Sequence, residues 1–134
     1  MKKTRTFLIS AIFLIVAAVW AGPFWRGETL SATKVKKRWG QQSVDLAKFK
    51  NTKIENRANM AFNIMTDKSY IGKSVEEIRE LFGSTDGFYF IDIYPAYLIQ
   101  KDQLPKDETW QIVFRLNSKY KVRDIIVHKN CCAD

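Results

Sequence analysis

The pattern of apolar and polar positions divides this 134-residue chain into three parts. An apolar run that only Ser10 interrupts covers residues 7–21. Residues 26–53 are polar, basic and without a clear period, which predicts a linker with at most a short helix around 43–49. From Ile54 onward, apolar positions recur first at helical and then at strand spacing. We therefore expect one small domain over 54–130, followed by a short tail over 131–134.

Two helices are predicted at the start of this domain. The first covers Glu55–Met65, because its apolar residues fall on one helical face: Ile54, Ala58, Ala61, Phe62 and Met65. The second covers Val75–Phe82. Ser74 is a good N-cap, Glu77 stands where it can close a capping box, and Gly83 occupies the position of a C′ glycine.

Strands follow the helices. Phe88–Tyr94 is aromatic and rich in β-formers, and Ala96–Gln100 is either its continuation or a second short strand. Residues 108–116 alternate clearly, residues 117–120 form a turn, and residues 121–128 form a last strand whose apolar positions indicate a bulge. The expected fold is α+β, with two helices packed on one face of a three- to four-stranded antiparallel sheet and a hydrophobic helix preceding them.

The first 25 residues have the form of a targeting segment. Lys2, Lys3 and Arg5 precede the apolar run, which is the pattern of a signal peptide and favours an exported remainder. Val19-Trp20-Ala21 offers small residues for cleavage, yet residues 7–25 together approach the roughly 20 that span a bilayer. Two locations therefore remain open: a single-pass inner-membrane protein with its domain in the periplasm, or a periplasmic protein after cleavage.

The net charge of +8 is unevenly distributed. Residues 22–60 hold nine Lys or Arg against three acidic residues, whereas residues 61–134 hold ten against eleven. The cationic stretch beside the membrane segment is either a solvated linker or a contact with anionic lipid headgroups, through Lys34, Lys36, Lys37 and Arg38. Nucleic acid is not an expected partner, because the globular part is not basic.

Three motifs resemble the BamE (SmpA/OmlA-like) family of small exported bacterial proteins. They are Arg57-x-x-Met60, then Ile71-Gly72-Lys73-Ser74 with the helix ending at Gly83, and Trp110-Gln111-Ile112-Val113-Phe114 before a hairpin. The resemblance implies two helices on a three-stranded antiparallel sheet. It also implies a non-enzymatic module of the cell envelope that binds a protein partner.

The segment 88–94 is the candidate partner surface. If it is a strand, both of its faces are apolar, which is one more than a sheet with helices on one side needs. The surplus face is covered either by the segment before Ile54 or by a partner protein. The side chains concerned are Phe88, Tyr89, Phe90, Ile91, Ile93 and Tyr94.

Reactive groups are few. Cys131 and Cys132 are the only cysteines, and their adjacent Cα atoms lie about 3.8 Å apart, closer than a relaxed disulfide allows. A vicinal disulfide, an intermolecular bridge and free thiols all remain open, and His128-x-x-Cys131-Cys132-x-Asp134 allows a soft-metal site, so the alternative function is redox or metal response. His128, expected at a surface or sheet edge, has no nucleophile paired with it, so we expect no enzyme, no cofactor and no small-molecule substrate.

Overall fold

The computed structural model describes residues 27–101 and 109–129, which form an α+β fold. Four antiparallel strands lie in the order β1-β4-β3-β2, with bounds β1 Thr29–Leu30, β2 Ala96–Gln100, β3 Trp110–Leu116 and β4 Val122–Lys129. The α-helices are α1 Ala32–Trp39, α2 Leu46–Asn51, α3 Ala61–Thr66 and α4 Val75–Phe82. The coarse prediction is thus confirmed, with four helices in place of two. The hydrophobic helix predicted before them lies outside the described residues.

The segment predicted to be a linker is part of the fold. It forms β1, α1 and α2, and it contributes Leu30, Val35 and Phe49 to the core. The side chains of Ser31 and Asp45 cap the two helices by accepting hydrogen bonds from backbone N–H groups. Because each of these short elements buries a single residue, the sequence shows no hydrophobic period there.

The first predicted helix is broken. Two 3₁₀ turns, Ile54–Asn56 and Ala58–Met60, lead into α3. The break lies at Arg57, whose buried side chain donates from Nε to the carbonyl of Phe49 at 3.0 Å. Helix α3 begins with Ala61 and buries Ile64, a residue outside the predicted face.

Three local predictions are confirmed. Ser74 and Glu77 form both hydrogen bonds of the capping box at α4, and Gly83 ends the helix with φ 88°. Asn117 closes the β3–β4 turn by accepting hydrogen bonds from the N–H groups of Lys119 and Lys121. The register of β3 on β4 shifts between Arg115 and Leu116, which is the predicted bulge.

One predicted strand is absent. Residues 88–94, named the aromatic loop from here on, form bends and turns between α4 and β2, and Phe90 has a left-handed φ of 54°. A strand needs neighbours for its backbone groups, and a side chain from β3 takes that role here, as described below.

The two faces of the sheet differ in their cover. The helices pack on the face that carries Trp110, Ile112, Phe114 and Leu116, and aromatic rings from several elements meet there edge to face or tilted: Phe49, Tyr70, Phe82, Tyr97 and Phe114. A second, small cluster of Ala96, Val113 and Ile126 lies apart from this core, with Tyr89 and Tyr94 packed against it. In the part of the chain that the structure describes, no helix has the length and apolarity to cross a bilayer.

Candidate functional site

Gln111 fixes the start of the aromatic loop to the sheet. Its side chain is fully buried in β3, where Oε1 accepts from the backbone N–H of Phe88 at 3.0 Å and Nε2 donates to the carbonyl of Phe88 at 2.6 Å. The side-chain amide thus makes the pair of hydrogen bonds that a neighbouring strand would make. We name this pair of hydrogen bonds between Gln111 and Phe88 the clamp. It was not predicted from the sequence, although Gln111 is a single amide residue within an otherwise apolar stretch of β3.

A second attachment lies just before the loop. Asp86 Oδ1 accepts from the backbone N–H of Leu98 at 2.9 Å, and its Oδ2 accepts from Arg57 Nη1 at 2.6 Å. Gly87 donates to the carbonyl of Ala96 at 3.0 Å, and a Cβ at Gly87 would lie 2.5 Å from Oε1 of Gln111. Glycine is therefore required where the chain passes closest to the sheet.

The candidate partner residues divide into two sets. Tyr89 and Tyr94 turn inward onto the second face of the sheet, with ring centroids 5.9 Å apart. The other four side chains are exposed and large: Phe88, Phe90, Ile91 and Ile93. The prediction that these side chains lie on the two faces of a strand is wrong, since the two tyrosines cover the sheet and the other four side chains point away from it. An apolar surface remains, held on an anchored loop.

His128 lies beneath this loop, in contrast to the predicted surface or edge position. It is 7% exposed, and its ring centroid lies 4.9 Å from that of Tyr89 and 6.4 Å from that of Phe90. Nδ1 is buried, and none of the residues that the structure describes forms a hydrogen bond with it. Burial, and then the positive charge of Arg115, lower the pKa of His128 below its ordinary value. The imidazole packs against two aromatic rings and supports the base of the loop.

The four residues predicted to contact lipid headgroups lie on helix α1 and not in a linker. Lys34, Lys36, Lys37 and Arg38 are exposed, the helix has no acidic residue in its first turn, and Val35 points into the core. Arg38 also lies over the rings of Trp39 and Trp110, and Lys36 lies over Phe62. The helix thus presents a cationic outer surface at a fixed place on the domain.

An open groove of about 730 Å³ lies between the end of α3 and the start of β4 and is lined by residues outside the aromatic loop. Its charged lining includes Asp67, whose carboxylate caps a 3₁₀ turn, and Asp124, which forms an ion pair with Arg115 at 2.6 Å. These hydrogen bonds hold the pKa of both carboxyls below their ordinary value. Both carboxylates are held by structural partners, which does not favour their use as a pair in acid–base chemistry.

Between residues 27 and 101 and between residues 109 and 129, no three His, Cys, Asp or Glu residues cluster as metal ligands. Cys131 and Cys132 lie outside the described residues, so the redox and metal alternatives stay predictions from sequence.

No protein-family model, no curated protein and no solved structure matches this chain.

Proposed function

We propose that this chain is a non-enzymatic protein-interaction module of the bacterial cell envelope, tethered by its N-terminal apolar segment, which binds a partner protein through the aromatic loop. The observation that carries the proposal is the contrast between the loop's two sets of side chains. Tyr89 and Tyr94 are partly buried against the sheet, whereas four large side chains are exposed to solvent: Phe88, Phe90, Ile91 and Ile93. Exposed apolar surface of this kind on a soluble domain is typical of a binding site.

Anchoring makes the loop suitable for recognition. Its backbone is held by Gln111 on one strand and, through Asp86, by Arg57 and Leu98. A surface ordered before binding loses little conformational entropy when a partner arrives. Aromatic side chains add large contact areas with few rotatable bonds, which favours them at the centre of interfaces.

The test is retention of a partner by affinity isolation from detergent-solubilised envelope. We expect the chain to retain a specific protein that the Phe90→Ser variant loses. Tyr120→Ser is the matched control, because Phe90 and Tyr120 are each 63% exposed and Tyr120 lies in the β3–β4 turn. A partner lost equally from both variants, or retained by both, would contradict the proposal.

The cysteine pair separates this function from the redox alternative. The double variant Cys131→Ser and Cys132→Ser is expected to retain the partner as the native chain does, since the loop is attached through residues of the sheet. Loss of the partner in this variant alone would favour the redox or metal-responsive function instead. Intact mass of the native protein then shows whether two hydrogens are missing from the thiols.

A further inference from the structure

The domain has a recognisable end at which the N-terminal segment joins it. Gly27 lies against His128, since a Cβ on Gly27 would be 2.3 Å from the imidazole, and Thr29 of β1 pairs with His128 of β4. In the next row of the sheet, Trp110 pairs with Lys129 on one side and with Gln100 on the other. We name these two rows, with Gly27, the chain-entry end. The β3–β4 turn at Asn117–Tyr120 lies at the other end.

Helix α1 passes over the chain-entry end on one face of the sheet. It begins two residues after Leu30, which pairs with Val127, and it ends at Trp39. The indole Nε1 of Trp39 donates to Oε1 of Gln100 at 3.0 Å, and its ring centroid lies 5.8 Å from that of Trp110. These contacts fix the direction of α1, and with it the position of its cations relative to the entering chain.

The aromatic loop reaches the same end from the other face of the sheet. Phe88 is bonded to Gln111, which pairs with His128, and Phe90 packs near the His128 ring. The cations of α1 and the exposed apolar side chains of the loop therefore flank the point of chain entry from opposite faces.

The membrane tether of the proposed function brings the bilayer close to this end. The targeting segment extends to Trp25, and two residues of chain span at most about 7 Å, so Gly27 stays near the point where that segment ends. A helix with four cations and no acidic residue, held at that distance from a bilayer, is complementary to anionic lipid headgroups.

We propose that the outer surface of α1 is a docking site for anionic phospholipid headgroups, which orients the domain with its chain-entry end on the bilayer. The occupant is lipid because the entering chain brings α1 to the membrane whatever the partner protein is. The inference rests on the membrane tether of the proposed function. It adds that the aromatic loop is held near headgroup level, so the partner protein is met at the membrane surface.

The test places a nitroxide on the full chain in liposomes, in the background Cys131→Ser and Cys132→Ser. The label is attached after Thr33→Cys on α1, after Ile91→Cys in the loop, or after Ser118→Cys at the far turn, and a paramagnetic metal is chelated to lipid headgroups. With phosphatidylglycerol in the bilayer, we expect strong relaxation enhancement at position 33 and little at position 118. Phosphatidylcholine alone, or high salt, is expected to reduce the effect at position 33.

Two double variants of equal charge change provide the control. Lys34→Gln with Lys37→Gln removes two cations from α1, and Lys48→Gln with Lys53→Gln removes two exposed cations from around α2. At the stabilisation expected for each basic residue near an anionic surface, the first variant lowers the ratio of docked to undocked domain roughly thirtyfold. The second variant is expected to leave that ratio nearly unchanged. Equal losses in both would indicate attraction by net charge alone and would overturn the site.

Other outcomes are equally decisive. Enhancement at position 118 that equals or exceeds that at position 33 would overturn the orientation, and greater enhancement at position 91 would assign the contact to the loop. If intact mass shows that residues 1–21 are removed, the tether that brings α1 to the bilayer is absent, and the proposal is overturned. If the α1 variants show no specific docking but the partner is still retained through Phe90, the docking site is overturned and the proposed function stands. If docking is intact but the partner is not retained, the proposed function is overturned and the docking site stands.

Discussion

The clamp at Gln111 gives the sharpest prediction about the loop. In Gln111→Ala, the backbone N–H and carbonyl of Phe88 lose the two hydrogen bonds that attach the loop to β3, at 3.0 and 2.6 Å. The side chain of Phe88 is largely exposed, so water can reach these groups once the loop lifts. The perturbation should therefore release the loop and leave the rest of the sheet paired.

The magnitude follows from the lost bonds. Each hydrogen bond contributes about 1 kcal/mol net, so the two together contribute about 2 kcal/mol to the free energy of unfolding. For a domain of this size, that corresponds to a fall in Tm of about 8–16 °C. The loss is read from urea denaturation with an unchanged m-value. Amide exchange at Phe88 and Tyr89 should accelerate well before exchange in β3 and β4.

Gln42→Ala is the control, because Gln42 is an exposed glutamine and substitutions of its side chain are expected to change stability by no more than about 0.5 kcal/mol. If Gln111→Ala is equally silent and exchange at Phe88 is unaltered, the loop is not held by the clamp, and the reasoning that makes it an ordered binding surface is refuted.

Three further predictions concern the frame around the loop. Arg57→Met should lower the free energy of unfolding, measured by urea denaturation, by about 3 kcal/mol, because the buried guanidinium donates hydrogen bonds to two carbonyls and a carboxylate. Asp86→Asn should lower it by only about 1 kcal/mol, since asparagine keeps an acceptor for the backbone N–H of Leu98. The pKa of His128 is lower in the folded state than in the unfolded state, so protonation favours unfolding. The free energy of unfolding should therefore keep its full value above the ordinary pKa of 6.5 and decrease as the pH falls from there toward the folded pKa. His128→Gln should flatten this part of a denaturation series measured against pH. Ser74→Ala should lower Tm by an amount equivalent to about 1 kcal/mol, through loss of the α4 cap, and a change under 0.3 kcal/mol would contradict the capping account.

Features encoded by nearby residues could be predicted from the sequence. The capping box of α4 depends on Ser74, Glu77 and their own backbone, and the β3–β4 turn depends on the Asn117 side chain within four residues. Strand β3 alternates because one of its faces meets the helical core. In each case the interaction that fixes the structure lies within the segment itself or recurs along it.

Features that depend on distant partners could not be predicted. The aromatic loop has strand-like composition, but the backbone N–H and carbonyl of Phe88 form hydrogen bonds with a side chain that lies 23 residues away in the sequence. Helix α1 buries a single residue, Val35, so its place in the fold depends on Trp39 finding Trp110 and Gln100. The break at Arg57 likewise depends on carbonyls and a carboxylate in three other segments.

Site-specific photo-crosslinking in intact envelope tests the central claim most directly. A benzophenone side chain replaces Phe90 in one chain and Tyr120 in another, at positions of equal exposure in the folded domain. We predict a discrete protein adduct from position 90 that is missing from position 120. The same adducts from both positions, or a position 90 that reacts only with water and lipid, would contradict the aromatic loop as a protein-binding surface.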